Sequence, residues 1–392
     1  MRGHGSISPL GHTKEHIVQQ YLSGEPAFGS FEGARVGVLG SEAASAIEQI
    51  TNEKRIYKGL DPSVLMAIYA CREAVSQAGW KTEDDIAINL GSSRGATSLF
   101  EKHLTEFLST GSVSPNTSPV TTLGNISSWA AQDLGLGGPA ISHSVTCSTG
   151  IQAIGNAFAW LKSSMVSKFL AGASEAPLTA FTLAQMNALG IYSKDFNSPY
   201  PCRPLNAARE NTFVLGEAAA VFALEKVTEA ELKSRNIEPV VLESVGFGFE
   251  RIGSKTGISK DGQHFKLAMH NALSQAVSAA PVDMIIMHAP GTATGDMAEL
   301  NAIQEVFRAD EIPVLTSTKW LTGHTFAASG CLSLDYAIHV LKTQSLLDFP
   351  YPSLVNDSVK NKAINKILIN SAGFGGNAAS LIVSRGLNYQ VL

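Results

Sequence analysis

Apolar residues along this chain switch repeatedly between two spacings. Over residues 61–80, DPSVLMAIYACREAVSQAGW, they follow a helical period. Asp61 is placed to cap that segment, Pro62 suits its first turn and Gly79 its end, so a helix is predicted there. Shorter apolar or β-branched runs at 34–40 (ARVGVLG), 85–93 (DIAINLGSS), 168–176 (KFLAGASEA) and 217–227 (EAAAVFALEKV) predict strands. The last is apolar enough to be covered on both faces. Residues 228–238, TEAELKSRNIE, are polar and precede Pro239, which suggests a surface crossing. The pattern then restarts with a strand at 240–250 and a helix over about 262–279. A strand at 282–288, a helix at about 296–308, a strand at 312–318 and a helix over about 325–343 follow, then strands within 366–376 and 378–385. Alternation of this kind predicts a layered α/β architecture with mostly parallel strands. An internal echo supports a repeat. SVTCSTGIQAIGNAFAWLK (144–162) and TSTKWLTGHTFAASGCLSLDYAIHVLK (316–342) both read as strand, polar junction, small residues and amphipathic helix. With the restart at 240, this favours two similar halves, residues 1–235 and 236–392.

Composition narrows the classes. With 44% hydrophobic residues, 16% charged residues and 35 glycines in 392, the chain suits a large core with many tight turns and excludes a fibrous or disordered protein. The net charge of −5 comes without charge runs, so nucleic acid is not the expected partner. Cys71, Cys147, Cys202 and Cys331 stand far apart with no CxxC pair, which points to neither a zinc site nor a disulfide framework. The opening MRGHGSISPLGHTKEH has no signal-like apolar core, and no apolar run reaches the ~18 residues of a membrane span. A soluble cytoplasmic protein is expected.

Candidate chemistry gathers at element ends. The run AISHSV before Cys147 reads as a strand, and Ile151, Ile154, Phe158 and Leu161 after it fall at helical spacing. A cysteine at such a junction faces unpaired helical N–H groups, which should ease its ionisation to the nucleophilic thiolate. The alternative is a small buried apolar residue. His288 follows an apolar strand in HAPGTATGD, Lys319 and His324 open a small-residue helix in STKWLTGHTFAASG, and Phe374 sits in the turn of NSAGFGGN. All four stretches are placed at carboxyl ends of strands, where open α/β sheets form ligand sites.

Together these stretches resemble the β-ketoacyl-acyl-carrier-protein synthases, decarboxylating condensing enzymes of the thiolase superfamily. GSISPLG (5–11) resembles the family's opening strand, and PVTTLGNISSWAAQDLGLGGPAISHSVTCSTGIQAIGNA its nucleophile region. PCRPLNAARENTFVLGEAAAVFALE, STKWLTGHTFAASG and NSAGFGGNAASL are similar to its later boxes. The resemblance implies a five-layer αβαβα thiolase-like fold and a dimer formed through the edge strand beside the nucleophile. It also implies that Cys147 takes the acyl group and that the backbone amides of Cys147 and Phe374 form an oxyanion hole, with Phe374 as a gate. His288 and His324 would stabilise the enolate left when malonyl-carrier protein loses carbon dioxide. Lys319 would tune the electrostatics with Asp296 and Glu299 as carboxylate partners, Thr292 would support the extender, and no metal or cofactor is implied. The implied partner is an acyl carrier protein, and Arg55, Lys58 and Arg203, with Lys54 and Arg209, are candidate docking cations. The second chain of the dimer would be an identical copy or a related ketosynthase-like subunit. Other readings of the resemblance are a non-catalytic chain-length-factor-type subunit and a thiolase. The presence of Cys147, His288, Lys319 and His324 argues against the first, and TGHT in the second histidine box against the other. Some positions depart from the family pattern. Pro290 replaces a hydroxyl residue in HAPGT, Ser333 stands where an acid is expected, with Asp335 close by, and Ala372 replaces a phenylalanine. The loss of volume at Ala372 suggests an unusual acyl chain, rigid and unsaturated as in aryl polyene pathways, whose condensing enzymes show similar HAPGT wording.

Overall fold

The computed structural model describes residues 1–81, 85–123, 125–228, 230–232, 239–255, 257–355 and 363–386. Among these residues the strands are β1 Gly3–Ile7, β2 Gly29–Phe31, β3 Ala34–Val36, β4 Ile86–Gly91, β5 Ala140–Ile141, β6 Lys168–Glu175, β7 Ala218–Glu225, β8 Val240–Phe249, β9 Met284–Ile286, β10 Val314–Thr316, β11 Lys366–Gly373 and β12 Asn377–Arg385. The helices of the first half are α1 Lys14–Ser23, α2 Ser41–Glu53, α3 Pro62–Ala78, α4 Thr97–Thr110, α5 Thr117–Thr121, α6 Asn125–Leu134, α7 Thr149–Lys162 and α8 Ala180–Ala188. Those of the second are α9 Gln263–Ser274, α10 Ala293–Val306, α11 Lys319–Thr322 and α12 Ala328–Thr343.

Two five-stranded sheets carry the fold, ordered β1-β7-β6-β4-β5 and β8-β12-β11-β9-β10. Each orders its own strands first, fifth, fourth, second, third. Each also pairs its first two neighbours antiparallel and its last two parallel. The restart at residue 240 is therefore a structural repeat. Four strands of each sheet run the same way, and the fifth, β7 or β12, runs against them between its two neighbours, so the sheets are mixed.

Helices α3 and α6 cover the outer face of the first sheet and α9 that of the second, while α7 and α12 contact both sheets and fill the middle layer. The result is the five-layer αβαβα stack. A middle-layer helix meets protein on every side, and α12 is buried continuously from Ala328 to Leu341. The two central helices cross closely at Gly150, where a Cβ would lie 2.5 Å from the Ala327 carbonyl oxygen and 2.6 Å from the Cys331 sulfur. Helix α3 is built as the sequence implies. Asp61 accepts from the Ser63 amide, Pro62 opens the first turn, and Gly79 closes it at φ 66°. Such left-handed backbone suits glycine.

Several boundaries differ from the sequence pattern. Segment 34–40 forms only β3, which pairs with β2 in a separate ribbon. AISHSV forms a strand only at Ala140–Ile141, and the helix expected to reach 279 ends at Ser274. Past Ile141 the chain is held by side-chain bonds such as Ser142 Oγ to Ser127 Oγ (2.9 Å) and the Val145 amide to Thr149 Oγ1 (2.9 Å) instead of a ladder, and past Ser274 it turns, with the Gln275 amide bonded to the Ala272 carbonyl. Much of the crossing expected at 228–238 lies outside the described residues. Among the described residues no helix is long and apolar enough to cross a membrane.

Candidate active site

Cys147 stands two residues before α7. The preceding Thr146 holds φ 57°, a costly conformation for a β-branched residue. Its hydroxyl donates to the Val145 carbonyl at 2.7 Å and to the Phe374 carbonyl at 3.2 Å. Thr149 Oγ1 accepts from the Val145 amide at 2.9 Å, and Ser371 Oγ donates to the Cys147 carbonyl at 3.1 Å. The nucleophile loop is thus tied both to α7 and to the end of β11. Gly373 makes that approach possible, since a Cβ there would lie 1.9 Å from Thr146 Oγ1 and 2.9 Å from the Cys147 nitrogen.

His288 follows β9 and is fixed by Glu299 on α10. Glu299 accepts from the amides of His288 (2.9 Å) and Ala289 (2.8 Å) and from Asn370 Nδ2 (3.0 Å). Asp296 accepts from the amides of Leu205 (2.7 Å), Gly291 (3.1 Å) and Thr292 (3.2 Å), which fixes the HAPGT turn. His324 follows α11, and its amide donates to the Val214 carbonyl at 2.7 Å. Its Nδ1 accepts from the Phe326 amide at 2.9 Å. A ring nitrogen that accepts carries no proton, so the neutral ring bears its hydrogen on Nε2. The two imidazoles meet edge to face with centroids 5.3 Å apart.

These groups converge. Cys147, His288, His324, Pro290, Thr292, Ala372 and Phe374 all line one cavity of about 510 Å³. Met186, Leu189, Ile191, Phe213, Ile258, Phe265 and Phe326 give it an apolar wall, and Asn211, His264 and Thr294 add polar groups. Phe374 is 43% exposed, as a side chain at a mouth should be. Sequence reasoning missed His264, Asn211 and Thr294, because each is a single polar residue in an ordinary helical or turn context.

Burial governs the electrostatics. It lowers both His288 and His324 well below the ordinary imidazole value, and the Lys319 ammonium adds to the effect. Both rings therefore stay neutral near pH 7. Burial also pulls Lys319 down to about 8, against the charges of Glu299 and Asp296. It pushes the Cys147 thiol up to about 12, reinforced by Glu175 and opposed by Lys319 and the residue's own backbone amide. This corrects the expectation of an easily ionised thiol: desolvation outweighs the helix terminus in the resting state. Glu175 is itself buried, accepting from Ser92 Oγ at 2.6 Å and from the Ser93 amide.

Other expectations also need correction. Asp296 and Glu299 act on Lys319 as neighbouring charges, with no ion pair to it among the described residues, while their oxygens also accept from backbone amides. Asp335 does not stand in for the acid absent at Ser333. It binds His4 (3.2 Å), Ser6 (3.2 Å) and Tyr21 (3.1 Å), away from the cavity lining. Ser333 Oγ bonds the Ser329 carbonyl at 3.1 Å. Arg203 is held by Asp195 (2.7 Å) and Glu210 (3.3 Å), with its side chain 17% exposed, so it serves its own loop. Arg55 and Lys58 are exposed.

The family model "Beta-ketoacyl synthase, N-terminal domain" matches residues 2–230, and "Beta-ketoacyl synthase, C-terminal domain" matches residues 241–349. The 3-oxoacyl-[acyl-carrier-protein] synthase 2 of Staphylococcus aureus is 28% identical, over 97% of this chain and 99% of its own. The 3-oxoacyl-[acyl-carrier-protein] synthase 1 of Buchnera aphidicola subsp. Baizongia pistaciae is 27% identical, over 98% of each. Among solved structures, the ishigamide ketosynthase/chain length factor superposes with a TM-score of 0.85 at 20% identity, covering 98% of both chains. The ketosynthase ApeO in complex with its chain length factor ApeC from Xenorhabdus doucetiae gives 0.77 at 22%, covering 98% of this chain and 97% of that one.

Proposed function

The chain belongs to the β-ketoacyl synthase family, and on that footing we propose that it is a β-ketoacyl-acyl-carrier-protein synthase. It joins a Cys147-bound acyl group to malonyl-carrier protein by decarboxylative condensation, in fatty acid, polyene or polyketide synthesis. The observation that carries this reading is the convergence of Cys147, His288 and His324 on one largely apolar cavity from segments far apart in the chain.

The geometry supports the following chemistry. The Cys147 sulfur attacks the thioester carbonyl of acyl-carrier protein. A new S–C bond forms, the old one breaks, and the carrier thiolate leaves with the cysteine's proton. The amides of Cys147 and Phe374 are the proposed oxyanion donors, a contribution worth ~3–4 kcal/mol for a single donor elsewhere. Malonyl-carrier protein then enters. His324 donates from Nε2–H, and His288 beside it serves the same thioester oxygen. Carbon dioxide departs, and its bonding electrons form an enolate that those imidazoles stabilise. The enolate carbon attacks the acyl-Cys147 carbonyl, and the sulfur leaves as thiolate to be reprotonated. Neutral imidazoles suit this step, because each keeps one ring N–H that can donate to the developing oxyanion near neutral pH. Lys319 sets the local field and draws the thiol toward ionisation.

Exposed Arg55 and Lys58 form a short basic stretch suited to an acidic carrier protein. A second chain pairs beside the nucleophile, a reading supported by β5 at the sheet edge and by Phe100, Leu104, Phe107 and Leu108 exposed on α4. A solved ketosynthase relative is described in complex with its chain length factor, so the partner is an identical or a related subunit. We place the reaction in the cytoplasm, which fits four free cysteines, and divide the chain into halves at about residue 236. The test is reconstitution with acyl- and malonyl-carrier proteins. A β-ketoacyl product with one carbon dioxide released per condensation is expected. His288→Ala and His324→Ala should abolish decarboxylation while acyl-Cys147 still forms. Product formation untouched by either substitution would refute the reading.

A further inference from the structure

His264 lines the same cavity as Cys147, His288 and His324 and takes no part in the steps above. It is the second residue of α9 and is 2% exposed. Its Nδ1 lies 3.3 Å from Glu250 Oε2, off line for a full hydrogen bond but close enough for the carboxylate to favour a proton on that nitrogen. Glu250 is held in turn. It accepts from the Ser259 amide (2.9 Å) and hydroxyl (2.6 Å), and its own amide donates to the Gly376 carbonyl at 2.9 Å. The pair is thus fastened to the turn that carries Phe374.

With Nδ1 facing Glu250, Nε2 is the ring nitrogen left to meet the cavity, and in the neutral ring it is an acceptor. Burial keeps the ring neutral. The partner it requires is a donor. Neither a thioester carbonyl nor a malonyl carboxylate can donate, so an amide N–H on the arm that carries the thioester is the matching group. Gly257, Ile258, Phe265 and Pro290, which also line the cavity, bring no polar side chain to that N–H. We propose that His264, positioned by Glu250, accepts a hydrogen bond from an amide N–H of the substrate's thioester arm. This assignment rests on the condensing reading above and adds a positioning residue to it.

The test compares two small acyl thioesters, one of N-acetylcysteamine and one of its ketone isostere, in which CH2 replaces the N–H. The rate of acyl-Cys147 formation is followed by intact-protein mass. The wild-type protein should favour the amide thioester by roughly five- to tenfold in kcat/KM, the worth of one hydrogen bond. His264→Phe should load both at the slower rate, and His264→Gln, which keeps an acceptor, should recover part of the preference. Glu250→Gln leaves the ring present but unoriented and should weaken the preference, which provides a second reading if His264→Phe does not fold. Wild-type loading without a preference, or a preference that survives in His264→Phe or unchanged in Glu250→Gln, overturns the inference alone. A wild-type protein that loads neither thioester overturns the condensing reading and this inference with it.

Discussion

Replacing Lys319 with methionine should make the protein more stable and less active. Lys319 is 2% exposed at the start of α11. Burial lowers its ammonium from 10.5 to about 8. At ~1.4 kcal/mol per tenfold change in proton affinity, that gap is a cost of about 3 kcal/mol for carrying the charge in the folded state. Methionine keeps a similar length without the charge, and flexible sulfur side chains fill irregular space well. The pH dependence follows from linkage. Below pH 8 the folded and unfolded chains both hold the proton, so the folded state bears the whole cost. Between pH 8 and 10.5 the unfolded chain binds more protons, and wild-type stability climbs with pH. Near pH 10.5 the difference between the two proteins should have largely vanished. Urea unfolding of both at pH 7 and pH 10 measures this. The variant should be favoured by about 3 kcal/mol at pH 7 and by much less at pH 10. It should also alkylate more slowly at Cys147, because Lys319 opposes the upward push on that thiol. A variant less stable at pH 7, or a difference that does not change with pH, would show that Lys319 is a structural strut and not a buried charge kept for chemistry.

Three further outcomes are expected. Gly373→Ala places a Cβ 1.9 Å from Thr146 Oγ1 and 2.9 Å from the Cys147 nitrogen. It should therefore slow Cys147 acylation by at least an order of magnitude, consistent with the steep cost of an ångström-scale misplacement; acylation kinetics at wild-type rates would contradict it. Exchanging Arg55 and Lys58 for glutamate should raise KM for carrier-bound substrates several-fold and leave small thioesters unaffected, since steering acts on the acidic carrier and not on the acyl group. Polyenoyl-carrier proteins should outcompete saturated ones of equal length, and Ala372→Phe, which fills part of the cavity wall, should reverse or erase that preference. Equal competition in the wild-type protein would remove the polyene reading.

Much of the fold was legible because a buried α/β repeat leaves strong local signals. The Asp61–Pro62 start and Gly79 stop of α3 are local chemistry, and the two echoing segments mark the two central helices. Antiparallel returns such as β7 were not legible, because a strand covered on both faces reads the same in either direction. Cys147, His288, Lys319 and His324 stood out through their positions at strand and helix ends. The acidity of Cys147 was misread because a sequence shows the helix terminus but not the depth of burial. Asp296 and Glu299 lie close enough to act on Lys319, but the backbone amides they also hold, from the HAPGT turn and from Leu205, carry no mark in the local pattern. His264 was invisible as a site residue, because only the packing of α9 against β8 brings it to Glu250 and the cavity.

The most direct test of the account is peptide mass spectrometry of the protein after exposure to acyl-carrier protein, before and after malonyl-carrier protein is added. The account predicts a single acyl increment on the peptide bearing Cys147, which disappears as β-ketoacyl-carrier protein forms. An acyl group on another residue, no acyl group at all, or an adduct indifferent to malonyl-carrier protein would contradict it.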